Sequence, residues 1–127
     1  MKSTKTADIL VVEDETQSGQ LVASALRSDG HTVRWVRSVR DAREELRRRP
    51  PDMLILDLTL ETDGLELLQA LRFSPADPRG GIVVLAEGRD VRSRERAQQL
   101  GAAAVLSKPL KGPEEVSAAV RELASWL

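Results

Sequence analysis

The sequence predicts an α/β protein, a parallel sheet of five strands with helices on both faces. Three observations carry that expectation. Short apolar runs with the length and branching of buried parallel strands recur along the 127 residues. Stretches with helical apolar spacing alternate with them. Five such strand-helix units use up the chain, which leaves no internal repeat, low-complexity tract or second domain.

Residues 8–12 read as the first strand, Ile9-Leu10-Val11-Val12 stopping at Glu13-Asp14. Residues 16–28 follow as a helix with Leu21, Val22, Ala25 and Leu26 on one face. The segment from His31 to Val36 is the second strand, carrying Val33, Trp35 and Val36. Ser38 suits the cap of a helix whose apolar face is Val39, Ala42 and Leu46. Arg47-Arg48-Arg49 places cations at its C-terminal end, and Pro50-Pro51 blocks continuation.

The third strand is 53–57, Met53-Leu54-Ile55-Leu56 stopping at Asp57. Gly64 precedes a helix bearing Leu65, Leu68 and Leu71. Ser74 to Gly81, with two Pro and two Gly, reads as a loop before the fourth strand, Ile82 to Leu85. The helix at about 91–100 is poorly amphipathic, with only Val91, Ala97 and Leu100 apolar. The fifth strand, 104–106, leads through Ser107 to Lys108-Pro109. Pro113 suits the first turn of a last helix with a stripe of Val116, Val120, Leu123 and Leu127. Residues 1–7 read as a short polar tail and 8–127 as the single domain. His31, after Asp29-Gly30, is expected at the surface, Trp35 packed or half-packed, and Trp126 off the apolar stripe of its helix.

Composition narrows the chemistry. A formal net charge of −1 supplies no global field toward nucleic acid or membrane. The lack of Cys excludes disulfides, thiolate metal sites and thiol nucleophiles, and a single His excludes a multi-His centre. No apolar stretch approaches a membrane span and none follows the N-terminus as a signal core, so a soluble cytoplasmic protein is expected.

In doubly wound sheets, sites form beyond the carboxyl ends of the strands, where strand order reverses. In a flavodoxin-like order, 2-1-3-4-5, that point lies between strands one and three. These end in Glu13-Asp14 and in Asp57, with Lys108 at the end of strand five. Three carboxylates meeting there repel one another, and a hard divalent cation such as Mg²⁺ resolves the repulsion. Such a site suits phosphoryl transfer to a carboxylate. Asp57, alone at the end of the central strand, is the expected nucleophile. Glu13 and Asp14 would hold the metal, and Lys108 would add a second positive charge.

At this point the chain resembles the receiver domains of two-component response regulators, of the chemotaxis-regulator type. The matching pieces are Ile9 to Glu15, Leu54-Ile55-Leu56-Asp57-Leu58, Asp63-Gly64-Leu65-Glu66-Leu67, Gly101-Ala102 and Lys108-Pro109. The resemblance spans residues 8 to 127. It implies phosphorylation of Asp57 by a histidine kinase or phosphotransfer protein, in a domain that is not an independent enzyme but assists its own phosphorylation and dephosphorylation. It implies Mg²⁺ held by Asp14 and Asp57, by the backbone carbonyl of Thr59, and by Glu13 through water. It implies a cis Lys108-Pro109 peptide and signalling to a protein partner through helix four, strand five and helix five, a face through which receivers also pair. Direct binding of nucleic acid or membrane by this domain is not expected.

Two positions depart from the family pattern. Counting back from Lys108 puts Ala86 where the family has Ser or Thr, and Val105 where it usually has Tyr or Phe. The hydroxyl that would bond the phosphoryl group and the ring that would rotate with it are therefore both replaced. Glu61 also stands where a Pro is usual. The alternative function is thus a receiver-like interaction module that works independently of phosphorylation. An aspartyl phosphatase of the haloacid-dehalogenase kind would need a second Asp at Thr59. A flavodoxin would need a hydroxyl-rich phosphate loop where Glu13-Asp14-Glu15 stands.

Overall fold

The structure is a computed structural model that describes residues 5–60 and 64–127. Residues 1–4 of the expected tail, and the readings that fall on Glu61 and Asp63, lie outside the described residues. The elements alternate as expected: β1 (Asp8–Val12), α1 (Thr16–Ser28), β2 (Thr32–Val36), α2 (Val39–Arg48) and β3 (Met53–Asp57). They continue with α3 (Gly64–Leu71), β4 (Ile82–Glu87), α4 (Val91–Gln99), β5 (Ala104–Lys108) and α5 (Glu114–Ala124). The five strands form one sheet in the order β2-β1-β3-β4-β5, every neighbouring pair parallel. This is the flavodoxin-like, doubly wound arrangement.

Strand alternation sorts the core into two layers. Leu54 and Leu56 of β3 face one layer, which Ala42 and Leu46 of α2 and Leu67 and Leu71 of α3 complete. Met53 and Ile55 face the other, closed by Val22 and Leu26 of α1 and by Val116 and Val120 of α5. All five residues of β3 are buried, as a central strand covered on both faces requires. Burial of a Leu or Ile side chain of this kind contributes about 1.5–3 kcal/mol.

Local signals explain the ends of several helices. Ser38 caps α2 by accepting from the Asp41 N–H at 3.0 Å. Gly101 takes a φ of +93° just beyond α4, a conformation that a side chain would strain.

Four details differ from the expectations. Strands β4 and β5 run on to Glu87 and Lys108, because parallel pairing continues through Ala86–Ser107 and Glu87–Lys108. On α1, Leu21 is exposed and the buried face is Gly19, Val22, Ala23 and Leu26. Val91 of α4 is exposed too, and α5 buries Ser117 and Ala124 beside Val116 and Val120. His31 is buried, not at the surface: its Nδ1 accepts the Ala7 backbone N–H at 3.0 Å, and burial lowers its pKa. Among the described residues, no helix is long and apolar enough to cross a membrane.

Candidate functional site

Parallel pairing brings the carboxyl ends of β1, β3 and β5 to one edge, and their terminal side chains meet there. Asp57 ends β3 and is fully buried, while Glu13, just beyond β1, is 2% exposed. Lys108, at the end of β5, reaches across β4 to both. Its Nζ stands 2.6 Å from Asp57 Oδ2 and 3.5 Å from Glu13 Oε1. The Lys108–Pro109 peptide is cis. The Gly88 N–H donates to the Lys108 carbonyl at 3.1 Å, which ties the end of β5 to the loop after β4.

Thr59 completes the contacts of Asp57. Its backbone N–H and its hydroxyl both donate to Asp57 Oδ1, at 2.8 and 2.7 Å, and the same hydroxyl accepts from Lys108 Nζ at 3.4 Å. The sequence pointed to Thr59 through the family resemblance, for its carbonyl as a metal ligand and as a residue flanking the site, and not for these bonds. The closed Asp57–Thr59–Lys108 ring is visible only once Lys108 is brought across the sheet.

The two buried acids differ in protonation. Burial opposes ionisation of Asp57, but its contact with Glu13 and the hydrogen bonds from Lys108 and Thr59 overcome it and hold the carboxyl below its ordinary value. Glu13 is pushed up to about 7, first by burial and then by its contact with Asp57 and that group's charge. Burial works against the Lys108 charge, yet the two carboxylates hold its pKa above the usual lysine value. Two buried carboxyls, one held down and one pushed up, thus share this edge with the Lys108 ammonium.

Asp14 is placed differently from the other two acids: it is exposed on the loop between β1 and α1. Among the described residues, no three His, Cys, Asp or Glu side chains converge as a ready metal cage. The residues still fit a hard cation that keeps most of its waters. Glu13 Oε1 is buried without a hydrogen-bond partner, and the carboxylates of Glu13 and Asp57 offer oxygen ligands at this edge. Ala86 is buried against the α2–α3–α4 core layer, with Val105 packed partly buried against the same layer.

Sequence reasoning missed two residues that touch this edge. The Trp35 Nε1–H donates to the Glu13 carbonyl at 2.9 Å, and Arg37 Nη2 donates to the Asp14 carbonyl at 3.1 Å. Both lie at or just past the end of β2, whose carboxyl end reaches the same edge as the others. That position was the available signal.

The match to known proteins follows the same geometry. The family model for the response regulator receiver domain matches residues 9–121. The chain belongs to the response regulator receiver family. It is similar to the swarming motility regulation protein RssB of Serratia marcescens, 36% identical over 87% of this chain and 50% of that protein. It is also similar to the KDP operon transcriptional regulatory protein KdpE of Escherichia coli K12, 34% identical over 90% of this chain and 49% of that protein. The chain thus spans about half the length of these curated relatives, and about a quarter of the nitrogen assimilation regulatory protein NtrX of Azorhizobium caulinodans.

Among solved structures, NtrX from Brucella abortus superposes with a TM-score of 0.81 at 28% identity, over 95% of this receiver and 28% of that chain. A response regulator from Thermotoga maritima, 24% identical, shares the fold with a TM-score of 0.80 over 97% of this receiver and 99% of that chain. Receiver domains of this family are phosphorylated on an aspartate by a histidine kinase or phosphotransfer protein, with a divalent cation assisting, and signal through protein contacts. They are phosphoacceptor modules rather than independent enzymes.

Proposed function

We propose that Asp57 is the phosphoacceptor and that phosphorylation is reported to the surface only weakly. The observation that carries the first half is the ion pair at the end of β3, with Lys108 Nζ 2.6 Å from a carboxylate that has no access to bulk water. An Asp57 oxygen attacks phosphorus, the bond from phosphorus to the donor's imidazole nitrogen breaks, and that nitrogen recovers the electron pair. Lys108 offsets charge on the phosphoryl oxygens, and Thr59 steadies the carboxylate from its other oxygen. Mg²⁺, held by Asp14, Asp57, the Thr59 carbonyl and, through water, Glu13, would neutralise further phosphoryl charge when bound.

The second half rests on Ala86 and Val105. Ala86 has no hydroxyl to draw toward the phosphoryl group, and Val105 has no ring to follow it. A hydrogen bond to a charged group is worth about 1.5–3 kcal/mol, so the usual driving force for the switch is missing. The same pair favours a second reading, a receiver-like module that binds its partner through α4, β5 and α5, or pairs with its own copy there, whatever the state of Asp57.

Intact mass after incubation with a small phosphodonor and Mg²⁺ tests the acceptor. Wild type is expected to gain one phosphoryl group and Asp57→Asn none. No gain on wild type, or an equal gain on the variant, favours the second reading.

A further inference from the structure

The acids of the β1–α1 loop are held from outside the site. The backbone carbonyls of Glu13 and Asp14 each accept a hydrogen bond from the end of β2, the first from Trp35 Nε1 at 2.9 Å and the second from Arg37 Nη2 at 3.1 Å. Arg37 also bonds the Thr16 hydroxyl at 2.5 Å, where α1 begins, and its guanidinium lies 5.3 Å over the indole of Trp35. The indole in turn packs close against α1 at Gly19. A Cβ added there would stand 2.1 Å from Trp35 Cζ2. A glycine is unfavourable inside a helix, and here its bareness is what admits the ring.

We propose that Trp35 and Arg37 are positioning residues for cation loading, which clamp the Glu13–Asp14 backbone so that both carboxylates face the metal position. The proposal rests on the reading of Glu13, Asp14 and Asp57 as the Mg²⁺ site. Partners that orient metal ligands without touching the metal typically change affinity by tenfold or more when removed. Arg37 supplies a test of sign. A cation beside a cation site acts through its charge to weaken metal binding, so its removal would tighten binding. Acting as a clamp, it strengthens binding, and its removal loosens it.

The experiment uses Trp126→Phe as its background, because the chain has only two tryptophans and Trp126 is exposed, away from the site. Mg²⁺ alone is titrated by calorimetry and by Trp35 emission, without any phosphodonor. The Trp126→Phe background is expected to bind Mg²⁺ with a change in emission, since the Trp35 indole N–H is bonded to the Glu13 backbone carbonyl. Arg37→Ala and Trp35→Phe are each expected to weaken binding on the order of tenfold, and Arg37→Lys less than Arg37→Ala. Circular dichroism confirms that each variant is folded, and Arg37, being exposed, provides an arm that does not depend on the core tolerating Trp35→Phe. Equal or tighter binding by folded Arg37→Ala overturns the clamp and leaves the site reading intact. No Mg²⁺ binding by the background protein overturns both.

Discussion

Glu13 shows what the acidic edge costs the molecule. It is buried beside Asp57, and one of its oxygens has no hydrogen-bond partner. Its pKa in the fold, about 7, lies above the ordinary value of 4.5. A group raised in this way contributes stability fully below its unfolded pKa, and that contribution is lost as pH climbs through the folded value. Asp57 acts in the opposite sense: its pKa is depressed, so its contribution persists above the ordinary carboxylate range and is lost in acid. Between the ordinary 4.5 and the folded value of about 7, Glu13 therefore dominates the change. In chelator, urea midpoints of wild type are expected to fall across that window relative to Glu13→Gln, which is neutral throughout. Mg²⁺ is expected to narrow the gap at the alkaline end. Parallel pH profiles for the two proteins would show that Glu13 does not carry this strain.

Among the helices, α4 is the least anchored of those described. It buries a single residue, Ala97, whereas α1 and α5 each bury four. Its start is held by Asp90, which accepts the Ser93 N–H at 3.1 Å, and by Arg94, which donates to the Gly88 carbonyl at 3.2 Å. Few buried apolar contacts and exposed backbone hydrogen bonds mark a segment that opens locally at low free energy. Amides of α4 are expected to exchange with deuterium sooner than those of α1 and α5. Asp90→Ala removes the cap, at a cost of about 1 kcal/mol, and is expected to hasten exchange in α4 while leaving α1 unchanged. Protection of α4 equal to that of α1 would contradict this. The sparse apolar pattern of residues 91–100 was compatible with weak anchoring and equally with a charged recognition surface. The capping bonds did not show in the pattern, because they depend on where the β4–α4 loop turns.

At the scale of the whole molecule, the strands were legible because a parallel sheet needs apolar runs of a characteristic kind, and Ile9–Val12, Met53–Leu56 and Ile82–Leu85 are unambiguous; their order came from the flavodoxin-like arrangement that five strand-helix units suggest. The meeting of Glu13, Asp57 and Lys108 was legible for the same reason, since parallel strands deliver their ends to one edge. What could not be read depends on partners distant in sequence. His31 is buried because Ala7 presents an amide to it, and Trp35 serves the acidic loop because Gly19 leaves room for the indole. Ala86 and Val105 belong to the legible part, and they set the last expectation. Both pack against the layer that contains Ala97 and Leu100 of the α4 region. In wild type, phosphoryl charge at Asp57 finds Lys108 and Thr59 but nothing at Ala86 to pull, so its effect should stay at the sheet edge. Amide chemical shifts recorded with a small phosphodonor and Mg²⁺ are expected to change near Glu13, Asp57 and Lys108 and to stay still across Val91–Gln99. Ala86→Thr restores a donor and is expected to extend the changes toward α4, though less than a full switch would, because Val105 still offers no ring to move. Shifts across α4 in phosphorylated wild type would mean that the signal travels by another route through the same layer.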